Sequence, residues 1–477
     1  GAAVSCGEAA AIKLSELIKR FEDLRDYNEG TGIMEPLFTS AREYEEFCER
    51  HNIDILKYGE LEGYEGELYI GIDAGSTTSK IVVTGADGTI LYTDYKPNDG
   101  QPLDKVREFL SDIYKKKNPA ARIVSSGITG YGEEYIKAAL KIDYGEVETI
   151  AHYTAAKFFL PEVDFILDIG GQDMKALKIK DGVIDSVLVN EACSSGCGSF
   201  LSTFAAGLSM TPAEFSKEAL FADRPVDLGS RCTVFMNSKV KQAQKQGSSV
   251  GDIAAGLMYS VIKNALQKVI KVRDPKQLGR NIVVQGGTFY GDAILRAFEK
   301  IAGVEAVRPP VAGLMGALGM ALICKKRAAE QYRTASSMLD LQGLEDFSVT
   351  TKSARCGRCS NNCLLNIHIF KNGERYITGN RCERGVSATA EKSSLPNLYE
   401  YKLKRLFGYK PLENAPRGEV GLPRVLNMYE NYPFWFTFFT EMGYRVVLSD
   451  ESCREIYEKG IATISSENGL LSGKAHA

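Results

Sequence analysis

The sequence has few of the features that membrane, nucleic-acid-binding or fibrous proteins need. It contains one tryptophan, and none of its apolar runs reaches the roughly 20 residues of a membrane-spanning helix. Its 58 lysines and arginines are outnumbered by 61 aspartates and glutamates, so no basic excess attracts nucleic acid. A hydrophobic content of 44% and a charged content of 25% are typical of globular proteins. We therefore expect a cytoplasmic protein with several domains and with no nucleic-acid or membrane partner.

Cysteine is the exception to this ordinary composition, with 11 residues. The opening residues show no signal-peptide pattern, and in a large chain without an export signal grouped cysteines favour metal sites over disulfides. We expect Cys6, Cys48 and Cys324 to be buried thiols. The other cysteines fall into groups or follow them: Cys193, Cys197, Cys232, Cys356, Cys359, Cys363, Cys382 and Cys453.

A repeated pattern of strands and turns is the main sign of how the chain is organised. In the first copy, a β-rich run ends at Asp73, and a second strand leads to the hairpin turn Asp87-Gly88. In the second copy, a run ends at Asp168 and reaches the turn Asp181-Gly182 at nearly the same spacing. Alternating helices and strands follow each copy. The pattern predicts an α/β protein with a duplicated, two-lobed fold whose lobes face each other across a cleft.

The turns after the two aspartates suggest a phosphate clamp, although the P-loop motif is missing from the sequence. Turns rich in Gly, Ser and Thr direct backbone N–H groups and hydroxyls at phosphate oxygens. Asp73 and Asp168 would then hold Mg²⁺ through water. One such turn alone is more often an ordinary connection between strands. Two copies, together with a glycine pair at Gly286-Gly287 that lets the backbone approach an adenosine, favour nucleotide binding.

These residues also carry a family resemblance. Residues 73–80 (DAGSTTSK), 168–175 (DIGGQDMK) and 284–288 (VQGGT) resemble the two phosphate motifs and the adenosine motif of the actin, heat-shock chaperone and sugar kinase superfamily. Within that superfamily, residues 190–200 (NEACSSGCGSF) and 230–235 (SRCTVF) resemble the ATP-dependent activators of 2-hydroxyacyl-CoA dehydratases and the ATPase subunits of benzoyl-CoA reductase. The resemblance implies an actin-like ATPase domain.

The resemblance assigns roles to individual residues over about residues 68–327. Asp73 and Asp168 are the expected catalytic carboxylates, and Gln172 would orient the attacking water. Lys80 either balances the charge of the phosphates or is a solvated surface lysine. A histidine in the position of His152 is more often structural than catalytic. The expected nucleotide-binding residues are Gly75, Ser76, Thr77, Thr78, Lys80, Gly170, Gly171, Gly286, Gly287 and Gly316.

The resemblance further implies that Cys193 and Cys232 bind a 4Fe–4S cluster shared between two subunits of a homodimer. Such a cluster needs four thiolates, so two cysteines in one chain supply half of the site. Cys193 precedes a helix expected to start near Ser199, and a helix N-terminus favours a thiolate. The alternative is a pair of inert buried cysteines. Cys197 replaces the threonine usual in the family, and it is either a bystander or a change in the ligation.

A second cysteine set has the spacing of a complete local metal site. Cys356-x2-Cys359-x3-Cys363 precedes a predicted hairpin over residues 364–378, and Cys382 follows it. A knuckle whose hairpin returns a fourth cysteine resembles a zinc ribbon. The short run could also hold a second iron–sulfur cluster. Zn²⁺ is slightly favoured, because the hairpin gives the metal a structural role.

The ends of the sequence suggest a fragment of a large fused protein. Residues 1–7 faintly resemble residues 316–322, near the end of the ATPase module, so we expect an upstream ATPase copy. The expected divisions are a helical segment at 1–66, the ATPase domain at 67–327, a linker at 328–354, the four-cysteine metal-binding hairpin module at 355–385, and a linker with a truncated dehydratase- or reductase-like α/β segment at 386–477.

The leading hypothesis is an activator that uses ATP hydrolysis to drive electron transfer from a 4Fe–4S cluster to a dehydratase- or reductase-type partner. Its cofactors would be ATP, Mg²⁺ and the cluster, and ferredoxin or flavodoxin would donate electrons. The second half of the cluster site would come from a homodimer partner or from another ATPase copy in the same intact chain. The alternatives are a small-molecule kinase with the same fold and a non-enzymatic, ATP-switched scaffold.

Overall fold

The structure is a computed structural model, and it describes Ser15 and residues 32–52, 55–190, 197–230, 233–272, 278–358, 361–386, 396–451 and 453–462. The chain divides into two compact units, Gly1–Asp346 and Phe347–Ala477. Each unit is described by itself.

Two sheets with the same local pairing form the two lobes of the first unit. The first has five described strands: β1 (Glu67–Ala74), β2 (Thr78–Gly85), β3 (Ile90–Pro97), β4 (Arg122–Thr129) and β5 (Tyr144–Gly145). The second has four described strands: β6 (Phe165–Ile169), β7 (Met174–Lys180), β8 (Val183–Asn190) and β9 (Ile282–Gln285). The orders are β3-β2-β1-β4-β5 and β8-β7-β6-β9.

The pairing within the two sheets repeats strand by strand. β1 is antiparallel to β2 and parallel to β4, and β6 is likewise antiparallel to β7 and parallel to β9. The turn between β1 and β2 is closed by a bond from Gly75 N to Thr78 O at 3.0 Å. The equivalent bond between β6 and β7 runs from Gly170 N to Asp173 O, also at 3.0 Å. The duplicated, actin-like α/β fold predicted from the sequence is confirmed.

Helices connect and cover the sheets. Thr211 caps one of them: its hydroxyl accepts from Glu214 N at 3.2 Å, and its own N–H donates to the Glu214 carboxylate at 2.8 Å. The helix that begins at Val250 continues after Lys263 as a π-helical stretch, Asn264–Val269. The helices of this unit are α1 (Ala41–His51), α2 (Pro102–Lys116), α3 (Glu133–Leu140), α4 (Glu148–Phe159), α5 (Gly198–Gly207), α6 (Pro212–Glu218), α7 (Thr233–Lys245), α8 (Val250–Lys263), α9 (Asp292–Ala302), α10 (Met315–Glu330) and α11 (Leu341–Glu345).

Helix α10 joins the two lobes through apolar contacts. Ala317 and Leu318 belong to one buried cluster with Val82 of β2 and Ile166 of β6. The helix lies unusually close to its neighbours. A Cβ atom added at Gly71 of β1 would overlap the carbonyl oxygen of Ala317. Glycine is therefore required where β1 and α10 meet, because any larger residue would force the helix off the sheet.

The second unit begins with a three-stranded antiparallel sheet of β10 (Val349–Arg355), β11 (Leu364–Phe370) and β12 (Arg375–Thr378). The predicted hairpin over residues 364–378 is confirmed. Residues 328–354 were expected to form a linker. In the structure they contain the end of α10, the helix α11 and nearly all of β10. Each residue of β10 is exposed, so the strand lacks the alternation of apolar and polar residues that would have predicted it.

The rest of the second unit contains α12 (Leu398–Leu406), β13 (Glu419–Leu422), α13 (Met428–Glu441), β14 (Arg445–Leu448) and α14 (Arg454–Ala462). β13 and β14 are parallel, and α13 lies between them along the chain. β13 ends before Pro423, which has no N–H to donate to a ladder. Across the described ranges, no helix has the length and apolar character of a membrane span.

The contact at Gly71 yields a stability prediction. Gly71→Ala should lower the free energy of unfolding by about 1–3 kcal/mol, because the added methyl overpacks the contact between β1 and α10. Denaturant unfolding followed by circular dichroism measures this change. Gly63→Ala is the matched control, since a Cβ at Gly63 would meet nothing within 4 Å. Equal stability of the two variants would contradict the close packing at Gly71.

Candidate nucleotide site

A cavity of about 980 Å³ is lined by residues of both predicted phosphate loops. Thr77 and Thr78 come from the first loop, and Gly171 and Gln172 come from the second. The loops approach each other directly, with Ser76 Oγ 3.4 Å from Gln172 Oε1. The predicted arrangement, in which two turns face each other across a cleft, is therefore present in the structure.

The first carboxylate of the site is paired with a lysine. Asp73 ends β1 with only 2% of its surface exposed, and Lys80 Nζ of β2 lies 2.8 Å from Asp73 Oδ2. Burial by itself would lower the pKa of Lys80, but attraction to Asp73 and the hydrogen bond to it raise that pKa above its ordinary value. Lys80 is thus held beside a catalytic candidate, and the alternative of a solvated surface lysine does not describe it.

The second carboxylate is held by two side chains from other elements. Asp168 of β6 is 6% exposed, and its Oδ2 lies 2.6 Å from His152 Nδ1 of α4. Gln285 Nε2, at the end of β9, donates to the same oxygen at 2.9 Å. Burial would raise the pKa of Asp168, but the charge of His152 and the hydrogen bond to it hold that pKa below its usual range.

Sequence reasoning missed one member of this group and undervalued another. Gln285 is fully buried and immediately precedes the glycine pair of the adenosine motif, so its place in that motif was an available signal. His152 was expected to be structural, and nothing in the sequence pairs α4 with β6. Burial alone would lower the pKa of His152, whereas the neighbouring charge of Asp168 raises it.

Gly316 of α10 lies beside Asp73 and beside His152, the partner of Asp168. A Cβ at this position of α10 would be 2.8 Å from Asp73 Oδ2 and 2.8 Å from His152 Nε2. The absence of a side chain therefore lets Asp73 and His152 pack against the start of the helix. The structure places Gly316 against these side chains, although the sequence suggested that it contacts nucleotide.

The second phosphate loop is tied to the adenosine motif and to helix α5. Gly198 N donates to Gly170 O at 2.9 Å, and Ser199 N donates to Gly171 O at 2.8 Å. Gly286 has a φ of 93°, which favours glycine, and a Cβ there would lie 2.9 Å from Asp168 Oδ1. The loop, the start of α5 and the adenosine motif consequently form one bonded assembly.

The predicted metal-binding cysteines are only partly described. Cys193, Cys232 and Cys359 lie outside the described residues. Cys197 is buried in the core at the N-cap of α5. Within the described ranges, no three His, Cys, Asp or Glu side chains are grouped closely enough to hold a metal ion.

The sheet of the second unit nevertheless brings three of its cysteines to the same end. Cys356 directly follows β10 and Cys363 directly precedes β11, and Cys356 N donates to Cys363 O at 2.9 Å. Cys382 follows β12, which is antiparallel to β11. The strand order therefore brings the chain back toward the first two cysteines, as the hairpin in the sequence predicted.

The chain belongs to the BadF/BadG/BcrA/BcrD ATPase family, whose model matches residues 70–324. A second model, described as the CoA enzyme activase uncharacterised domain, matches residues 419–475. The resemblance seen in the sequence is thereby confirmed.

Two relatives show which branch of the family this chain is similar to. The (R)-2-hydroxyglutaryl-CoA dehydratase activating ATPase of Acidaminococcus fermentans is 30% identical over 265 residues, which are 55% of this chain and 98% of the relative. The 2-hydroxyisocaproyl-CoA dehydratase activator of Clostridioides difficile is 30% identical over 274 residues, covering 56% and 99%. A solved structure of an activator of 2-hydroxyisocaproyl-CoA dehydratase with bound ADPNP gives a TM-score of 0.49 at 30% identity, covering 56% of this chain and 97% of that one.

The pairing of His152 with Asp168 yields a pH prediction. A raised folded-state pKa means that the stability His152 contributes is complete below its unfolded pKa of about 6.5 and is lost as pH rises through the folded value. We expect the unfolding free energy of the wild type to decline as the pH rises above about 6.5. His152→Gln should lack that decline in denaturant titrations at a series of pH values.

His368→Gln is the control for this measurement, because burial lowers the pKa of His368. This variant should keep the decline. If His152→Gln and the wild type had the same pH dependence, the pairing would not contribute to stability as described.

Proposed function

We propose that the first unit binds MgATP between its lobes and hydrolyses it, and that the protein uses this hydrolysis to activate a 2-hydroxyacyl-CoA dehydratase- or reductase-type enzyme. The observation that carries the proposal is the pair of phosphate loops, closed by matching backbone bonds and facing each other with a buried carboxylate at the start of each. A kinase would share this cleft, but the named relatives that align over nearly their whole length are dehydratase activators.

The residues of the cleft fit a magnesium–nucleotide complex. The turns that contain Gly75 and Gly170 offer backbone N–H groups to phosphate oxygens, as anion-binding turns do, and the first turn adds the hydroxyls of Ser76, Thr77 and Thr78. Asp73 and Asp168 supply oxygen ligands of the kind that Mg²⁺ prefers, mostly through its water shell. When bound, Mg²⁺ would neutralise charge on the phosphates.

Gln172 is the proposed water-orienting residue. It is exposed toward the cleft, lies on the second phosphate loop and is within hydrogen-bonding range of Ser76 on the first. Its amide can accept a hydrogen bond from water and donate one to a phosphate oxygen. Lys80 pairs with Asp73 and adds positive charge close to the phosphates.

Cys193 and Cys232 are proposed to hold half of a 4Fe–4S cluster. α7 begins at Thr233, directly after Cys232, and α5 begins at Gly198, shortly after Cys193. Thiolates are stabilised at such positions, because the aligned peptide dipoles give helix N-termini a partial positive charge. Two cysteines per chain leave the other two ligands to a second copy of the domain. The cluster would supply an electron of low potential for the partner enzyme, with ferredoxin or flavodoxin as donor.

Helix α5 would couple the bound nucleotide to the segment that contains Cys193. Its first N–H groups are bonded to Gly170 and Gly171 of the second phosphate loop. A loop that moves when the phosphate it holds is cleaved must therefore move the start of α5, or break these bonds. The segment that contains Cys193 connects β8 to α5 in the sequence, so a movement of the start of α5 would be transmitted to it.

In the second unit, we propose that Cys356, Cys359, Cys363 and Cys382 hold a structural metal ion. The support is the shared end of the sheet at which the three described cysteines lie. Zinc is preferred over a second iron–sulfur cluster, because a metal there would fix a small sheet whose first strand is exposed throughout.

Hydrolysis provides the first test. Asp168→Asn and Gln172→Ala should each reduce ATP hydrolysis about a hundredfold or more, because the first removes a charge that holds the metal and the second removes the group that orients water. Phosphate release measures the rate, and circular dichroism confirms the fold. Asp87→Asn, in the exposed hairpin turn between β2 and β3, is the control and should hydrolyse normally. Wild-type rates in both test variants would show that other residues carry the reaction.

Iron content after anaerobic purification provides the second test. Cys193→Ala and Cys232→Ala should each lose the iron–sulfur absorption and most of the iron per chain, while zinc bound by the second unit is retained. Cys324→Ala is the matched control, since burial raises the pKa of this thiol to about 12 and keeps it protonated. A colourless wild type without iron would defeat the redox proposal, and loss of colour only from Cys356→Ala would move the cluster to the second unit.

A further inference from the structure

A segment that precedes the family match forms part of the lobe that carries the adenosine motif. The family model begins at residue 70, whereas residues 32–52 are described and packed. Leu37, Phe38 and Phe47 are almost completely buried in the same core as Phe289 and Phe298, which flank the start of α9. This segment is therefore an integral part of the second lobe.

Polar contacts fix the segment in a defined position. Met34 N donates to Pro225 O at 2.8 Å, which places the chain beside the loop between α6 and α7. At the other end of α1, His51 Nε2 lies 3.0 Å from Glu299 Oε1, and both side chains are buried. Helix α1 is thus attached to α9 through a buried pair and not only through apolar surface.

This attachment places Tyr44 in the wall of the nucleotide cleft. The ring lies 5.1 Å from Phe38 and 5.7 Å from Phe221, both in edge-on arrangements, and the residue is half-buried. Its hydroxyl donates to Asp292 Oδ2 at 2.7 Å. Asp292 is the first residue of α9 and follows the adenosine motif by a few residues, so Tyr44 is tied to the element that the motif leads into.

Apart from the phosphate loops, the cavity that Tyr44 lines has apolar side chains in its wall. Leu220, Met258 and Ile294 line the cavity together with Tyr44, whereas Thr77 and Gln172 come from the loops. A nucleoside triphosphate has the same two characters, a charged phosphate chain and a flat aromatic base. Since the loops match the phosphates, the apolar wall is left for the base.

We propose that Tyr44 contacts the adenine base of bound ATP and contributes to its affinity. The inference rests on the nucleotide site proposed above, and it adds a base-contacting residue from outside the family module. The family model matches residues 70–324, so α1 lies outside the shared ATPase module. Tyr44 is therefore a feature of this chain and not of the shared ATPase module.

The test compares two ligands on the full chain: ATP, which has a base, and inorganic tripolyphosphate, which has none. Tyr44→Ala should weaken ATP binding about tenfold, as loss of an aromatic ring stacked on a base does, while tripolyphosphate binding stays at the wild-type level. Tyr44→Leu, which keeps apolar packing against Phe38 and lacks the ring, should show the same split. Tyr44→Phe should retain most of the ATP affinity. Isothermal titration calorimetry measures both ligands.

The controls separate base contact from a structural role. Tyr332→Ala, at a position that is 90% exposed, should change neither affinity. Unchanged ATP affinity in Tyr44→Ala and Tyr44→Leu would overturn the inference, and so would a parallel loss of tripolyphosphate binding, which would mark Tyr44 as a support of the whole lobe. Failure of the wild type to bind ATP would instead overturn the nucleotide site itself, and this outcome is visible before any variant is made.

Discussion

The first unit depends on compensating two carboxylates that are buried inside the protein. Asp73 and Asp168 end the first strand of each sheet and are almost fully buried. Removing a carboxylate from water costs several kcal/mol unless positive charge and hydrogen-bond donors replace the water. Lys80 supplies this compensation to Asp73, and His152 with Gln285 supplies it to Asp168. Because the partners come from different helices and strands, each pairing also fixes the positions of those elements relative to the carboxylate.

Close backbone packing makes this arrangement possible. Helix α10 touches both lobes, and glycines let it approach β1 at Gly71 and the Asp73–His152 contact at Gly316. A larger residue at either place would separate the helix from the carboxylates. Helix α10 thus links the two sheets, which otherwise repeat the same strand pairing.

Attachments at the edge of the cleft connect it to the rest of the unit. The second phosphate loop is bonded to the start of α5, and the segment before the family module is packed into the lobe of the adenosine motif. The first attachment bonds the second phosphate loop to α5, the helix that follows Cys193 in the sequence. The second brings Tyr44 beside Asp292. Neither attachment changes the order of the strands in the two sheets.

Local patterns in the sequence were enough to determine the strands, the turns, the duplication and the facing phosphate loops. Alternating apolar residues and glycine-rich turns act over a few neighbouring residues, so they can be recognised in one dimension. β10 escaped recognition because it buries no face. The partners of Asp168 and the position of Tyr44 were decided only by tertiary structure. His152 and Gln285 are distant from Asp168 along the chain, and they meet it because burying a charge requires compensating groups from whichever elements pack around it.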